Sequence, residues 1–75
     1  MFEEIKSLLV EEMSIDANEI KEDSEFINDL GFNSLEVADL VALCEEKYEV
    51  DLDEDKIREI LTVRDFVSYL ESLVG

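Results

Sequence analysis

Along the first thirteen residues, Phe2, Ile5, Leu9 and Met13 recur at the three- and four-residue spacing that lines one side of a helix, with Glu3, Glu4, Ser7 and Glu11 opposite. The pattern predicts an amphipathic first helix over Phe2–Met13. From Ser14 to Asn33 the period lapses, and Asp, Asn, Glu and Ser alternate with Ile15, Ile20, Phe26, Ile27, Leu30 and Phe32. So long a connection is uncommon in a small domain and more often functional than accidental. A long loop pinned to the core is expected here, with a short turn around Phe26 to Leu30. The second helix should begin at Asn33 or Ser34 and run to about Tyr48. Asn33 is a natural N-cap with Glu36 three residues on to complete a capping box, and Gly31 permits the bend into the helix. A short third helix is expected around Asp51 to Leu61, with Ile57, Ile60 and Leu61 turned inward. Thr62 and Asp65 form a second capping pair. They open a last helix whose Val63, Phe66, Val67, Leu70, Leu73 and Val74 share one face. No strand is expected. The fold class is therefore all-α: a small four-helix bundle, three main helices plus one short helix, with a long loop between helices one and two.

Charge changes this picture more than length does. The 75 residues hold 22 acids and 6 bases, a formal net charge of -16, yet 47% of them are hydrophobic. So much apolar content places the acidity on a folded body, in a single domain spanning 1–75. Phosphate backbones and anionic membrane surfaces repel such a chain, so neither nucleic-acid binding nor stable membrane insertion is expected, and like charge favours a monomer. The absence of His removes Ser-His-Asp and Cys-His nucleophile arrangements and the usual nitrogen ligands of zinc. No catalytic or metal-binding residue is expected. Cys44 is the only cysteine, too few for an internal disulfide. It falls on the inward side of the second helix, where it reads as a small hydrophobe. Tyr48 and Tyr69 read as core-edge aromatics with wet hydroxyls. Acids stand near the N-terminus where a signal peptide needs bases, and the longest apolar run is Leu40 to Cys44, so a cytoplasmic location is expected.

On a helical wheel of ~100° per residue, Val37, Leu40, Val41, Cys44 and Tyr48 supply the second helix with a sufficient core stripe. The rest of its surface should then be polar. Instead Leu35, Ala38, Ala42 and Leu43 are interleaved with Glu36, Asp39 and Glu46. Such a mosaic fits a docking surface for a partner bearing basic and apolar groups, or a bundle that surrounds this helix more fully. From Asn33 to Asp55, nine acids face Lys47 alone, a density that favours partner recognition with electrostatic steering. The candidate docking residues are Leu35, Glu36, Ala38, Asp39, Ala42, Glu45 and Glu46.

The segment Asp29-Leu30-Gly31-Phe32-Asn33-Ser34-Leu35 is similar to the motif around the modified serine of acyl carrier proteins, and the resemblance extends over the whole chain. Ser24-Glu25-Phe26-Ile27 resembles that family's approach to the motif. Glu36-Val37-Ala38-Asp39-Leu40-Val41 resembles its acidic second helix, and Thr62-Val63 its entry to the last one. Two positions depart: Asn33 stands where Asp is common, and Leu52-Asp53 where the family often has Pro. The resemblance implies that a phosphopantetheinyl transferase moves 4′-phosphopantetheine from coenzyme A onto Ser34. Acyl chains would then ride as thioesters to acyl-transferring synthase enzymes with basic docking patches. Fatty acid biosynthesis is the leading setting, with polyketide or aminoacyl and peptidyl carriage as the alternative. The helices would part to admit an acyl chain, with Val41, Cys44, Ile57, Leu61 and Phe66 as candidate lining residues that equally suit a plain core. Independently of the resemblance, Ser34 lies at a helix start, where free N–H groups and the positive dipole end favour a phosphodiester. Position alone also fits a plain capping serine.

Other classes fare less well. Asp51-Leu52-Asp53-Glu54-Asp55 opens like a calcium-binding loop, but the sixth and twelfth positions, which need Gly and Glu, hold Lys56 and Thr62. A carboxylate enzyme lacks any sign of one acid buried against another. An unmodified acidic interaction protein would keep its partners after Ser34→Ala.

Overall fold

Residues 1–74 are described by a computed structural model, in which α1 (Phe2–Met13), a 3-10 turn (Ala17–Glu19), α2 (Ser34–Tyr48), α3 (Glu54–Glu59) and α4 (Val63–Val74) follow in chain order. No strand forms among the described residues; one isolated antiparallel bridge joins Glu25 to Thr62. The helices stop for local reasons. Ser14 after α1 and Glu49 after α2 both take left-handed backbone, with φ of 57° and 55°, and their N–H groups return to carbonyls of the helix they close.

The core takes Ile5, Leu8 and Leu9 from α1, Leu40 and Cys44 from α2, and Val63, Phe66, Val67 and Leu70 from α4, with α1 packed on α4. The long loop adds Ile20, Phe26, Leu30 and Phe32, all buried. Phe26 is its anchor, 5.6 Å from the Phe32 ring and edge-on to Phe66 at 5.8 Å. The loop is also stitched by its backbone to the junction of α3 and α4. Phe26 N–H donates to Leu61 C=O at 3.1 Å, Val63 N–H to Ser24 C=O at 3.0 Å and Arg64 N–H to Glu22 C=O at 2.8 Å. Ser24, buried and polar, is satisfied within the loop: its hydroxyl accepts from Lys21 N–H and donates to Glu19 C=O.

The bundle expected from periodicity is present, with differences at its edges. The loop is not free of helix: Asp16 accepts Asn18 N–H and caps the 3-10 turn that follows. The third helix is six residues, Glu54–Glu59, not the longer span from Asp51 to Leu61. Asp53 caps its start by accepting Asp55 N–H, and Ile60 turns to extended backbone at its end. Extended backbone sends successive side chains to opposite sides. Ile60 therefore packs against the core, while Leu61 points outward at 50% exposure instead of inward. Leu73 and Val74 are also exposed, since the last turn of α4 runs past the core cluster that ends at Leu70. Leu43 of the outer mosaic of α2 is half-buried and packs against the core, while still lining the surface beside Asp39, Ala42 and Glu46. Neither tyrosine hydroxyl is merely wet: Tyr48 donates to Glu4 at 2.8 Å, and Tyr69 accepts Asp53 N–H at 2.9 Å. Among the described residues no helix is long and apolar enough to cross a membrane.

Candidate functional site

Each residue from Asp29 to Asn33 performs a local task, and together they place Ser34. The Asp29 carboxylate accepts Glu25 N–H at 2.7 Å, while Glu25 C=O accepts the N–H groups of Asp29 and Leu30, closing a turn. Leu30 drives into the core. Gly31 then takes φ +71°, a left-handed conformation that side chains disfavour, and reverses the chain. Phe32 is buried and its N–H returns to Phe26 C=O at 2.8 Å. Asn33, in extended backbone, caps α2: its Oδ1 accepts Glu36 N–H at 2.9 Å while Glu36 Oε1 accepts Asn33 N–H at 3.3 Å. Both expected partners of the box are present.

Ser34 is thereby the first residue of a fifteen-residue helix, exposed, with its hydroxyl outside the capping pair. An oxygen so placed is reachable by another protein and lies at the positive end of α2. Those properties suit the serine ester of a phosphate. Asn33 supplies the capping oxygen without setting a further negative charge beside it.

Ser34 also belongs to the lining of an open groove of about 660 Å³, whose apolar walls include Phe26, Val37, Val41, Leu52, Ile57 and Phe66. Of the residues considered for an acyl site, Val41, Ile57 and Phe66 line it, whereas Cys44 and Leu61 do not. Cys44 is sealed in the core; burial pushes its thiol up to about 11, with Lys47 pulling weakly the other way. Leu61 faces solvent. Ile27, Val37 and Leu52 were missed. For Leu52 a signal existed, since Val50 and Leu52 alternate with acids as an extended segment with one buried side does.

The acidic mosaic of α2 is mostly where the wheel put it. Leu35 is 76% exposed, and Ala38, Asp39, Ala42 and Glu46 also face solvent. Glu36 and Glu45 are half-buried and their carboxylates are engaged, Glu36 on Asn33 N–H and Glu45 on Leu52 N–H at 2.8 Å. A smaller depression of about 310 Å³ sets Glu12 and Met13 of α1 beside Asp39 and Glu46, two neighbours that a wheel of one helix cannot show. The acids have little internal neutralisation. One ion pair is found among the described residues, Arg58 with Asp55 at 3.6 Å, both exposed. The acidic run at Asp51–Asp55 is a helix start, its Asp53 occupied as a cap, and no three His, Cys, Asp or Glu among the described residues stand close enough to hold a metal ion.

Residues 3–70 match the family described as a phosphopantetheine attachment site. A Helicobacter hepaticus protein named acyl carrier protein is 44% identical over 71 residues, covering 95% of this chain and 93% of its own. One of the same name from Sulfurovum sp. is 37% identical over 73 residues, 97% of each. The crystal structure of an acyl carrier protein from Thermotoga maritima aligns with a TM-score of 0.81 at 26% identity, over 92% of this chain and 80% of that one.

Proposed function

The chain belongs to the phosphopantetheine-binding family of acyl carrier proteins, and on that premise we propose that Ser34 is its attachment point and that the apolar groove beside it shelters the acyl cargo. The observation that carries this reading is the exposed Ser34 hydroxyl on the first turn of α2, in the lining of that groove. Ser34 Oγ attacks the pyrophosphate of coenzyme A held by a phosphopantetheinyl transferase, forming a phosphodiester and releasing the adenosine bisphosphate half. The transferase takes the hydroxyl proton. Once bound, 4′-phosphopantetheine supplies the thiol that carries acyl groups as thioesters. The N–H groups of the first turn of α2 favour the phosphodiester's charge. The groove's apolar side chains favour an aliphatic chain over water. This lining supports fatty acyl cargo ahead of aminoacyl or peptidyl groups.

Partner enzymes meet Leu35, Ala38, Asp39, Ala42 and Glu46, where basic groups find unneutralised carboxylates and apolar ones find Leu35. Glu36 contributes chiefly by holding the helix start. The test is incubation with coenzyme A, magnesium and a broad-specificity transferase. Wild type should gain one prosthetic group and Ser34→Ala none; a Ser34→Ala protein that is still labelled refutes the assignment.

A further inference from the structure

The link Val50–Asp53 between α2 and α3 carries Leu52, 8% exposed, into the core and into the groove lining. Two N–H groups of this link are held by side chains. Leu52 N–H donates to Glu45 Oε2 at 2.8 Å, and Asp53 N–H donates to the Tyr69 hydroxyl oxygen at 2.9 Å. One bond ties the link to α2, the other to α4, so the wall at Leu52 is clamped from both sides. Glu45 is half-buried and itself lines the groove. In a chain of net charge -16 a carboxylate serving only to attract a partner would sit outermost, as Asp39 and Glu46 do. Glu45 instead spends an acceptor on a backbone donor that would otherwise be left unpaired on part-buried chain.

We infer that Glu45 is a positioning residue for the acyl groove: by accepting Leu52 N–H it fixes the groove wall, with Tyr69 as the second clamp, and so sets how well an apolar chain is shielded from water. The inference rests on the carrier reading given above. It differs from a docking role in one decisive respect, since the clamp needs an acceptor atom and not a charge. Gln at position 45 keeps an acceptor; Ala does not.

Amide exchange on the unmodified protein tests the clamp without any cargo. Glu45→Ala should speed exchange of the Leu52 amide roughly tenfold while α1 amides keep their rates, and Glu45→Gln should return it to within a few-fold of wild type. Tyr69→Phe, which removes one oxygen, should do the same to the Asp53 amide. With wild type loaded with acetyl or octanoyl groups, hydroxylamine should cleave the longer thioester more slowly. Glu45→Ala and Tyr69→Phe should narrow that difference, and Glu45→Gln should keep it. A Leu52 amide in Glu45→Ala exchanging at the wild-type rate, or Glu45→Gln behaving as Glu45→Ala does, overturns the inference. Equal cleavage of both thioesters in wild type overturns the sheltering groove itself, and the exchange data then still decide whether the clamp exists.

Discussion

Gly31 holds φ at +71°, and a Cβ added there would meet nothing within 4 Å. Any cost of Gly31→Ala is thus conformational, about 1–2 kcal/mol, and urea unfolding should show a loss in that range; an unchanged midpoint would mean that the turn is not strained. Cys44 illustrates the opposite case, a group set by burial. Its thiol, raised from 9.0 to about 11, stays protonated at neutral pH, so maleimide should leave Cys44 untouched in the folded protein while reacting with a prosthetic thiol. Because the folded value lies above the unfolded one, the contribution to stability is complete below pH 9.0 and is lost as pH climbs toward about 11. Tyr48 acts in the same direction, raised by burial and by its bond to Glu4. The melting temperature should fall across that alkaline window, and a flat profile there would contradict both assignments. Residues whose partners are local were legible in the sequence. Asn33 and Glu36 find each other three positions apart. Glu45, Tyr69 and Tyr48 find theirs across 7, 16 and 44 positions, distances at which no spacing rule operates.

At the scale of elements, the caps explain why the helix starts could be read so closely. Thr62 Oγ1 accepts Asp65 N–H at 3.2 Å and Asp65 Oδ2 accepts Thr62 N–H at 3.3 Å, the box foreseen from residue types alone. Thr62→Ala should cost about 1 kcal/mol. The backbone bond from Thr62 is the main reason that the Asp65 carboxyl lies below its usual 3.8, helped by Leu61 N–H and opposed by slight desolvation. A lowered folded value contributes stability above pH 3.8 that is lost as pH falls through it. Asp65→Asn should therefore melt below wild type at neutral pH, with the gap closing in acid; a gap independent of pH would exclude the carboxylate as its source. Helix ends without such signals were harder to place. Ile60 and Leu61 are equally apolar, and nothing in their identity says that the chain is already extended there so that Leu61 can hand its carbonyl to Phe26. The 3-10 turn at Ala17–Glu19 buries none of its own residues, so hydrophobic spacing carries no trace of it.

For the whole molecule, 22 acids against 6 bases mean that folding gathers like charge, and one exposed ion pair among the described residues does little to offset it. Added salt should raise the melting temperature of the unmodified protein by screening that repulsion, and indifference to salt would show that the charge is already accommodated. The same field should steer basic partners. Asp39→Lys with Glu46→Lys should slow modification by the transferase at low salt, with the deficit shrinking as ionic strength rises; an equal rate at low salt would remove these residues from the interface. Fold class and the capped helix start that presents Ser34 were readable because both rest on local pattern. The groove was not, because its walls are drawn from the loop, α2, the link, α3 and α4, which come together only on folding. The most direct measurement is mass spectrometry of the protein purified from the cells that make it, followed by peptide mapping. The peptide containing Ser34 should carry the added mass of one phosphopantetheinyl group. That group on a different serine, or a fully unmodified Ser34 in cells with an active transferase, would contradict it.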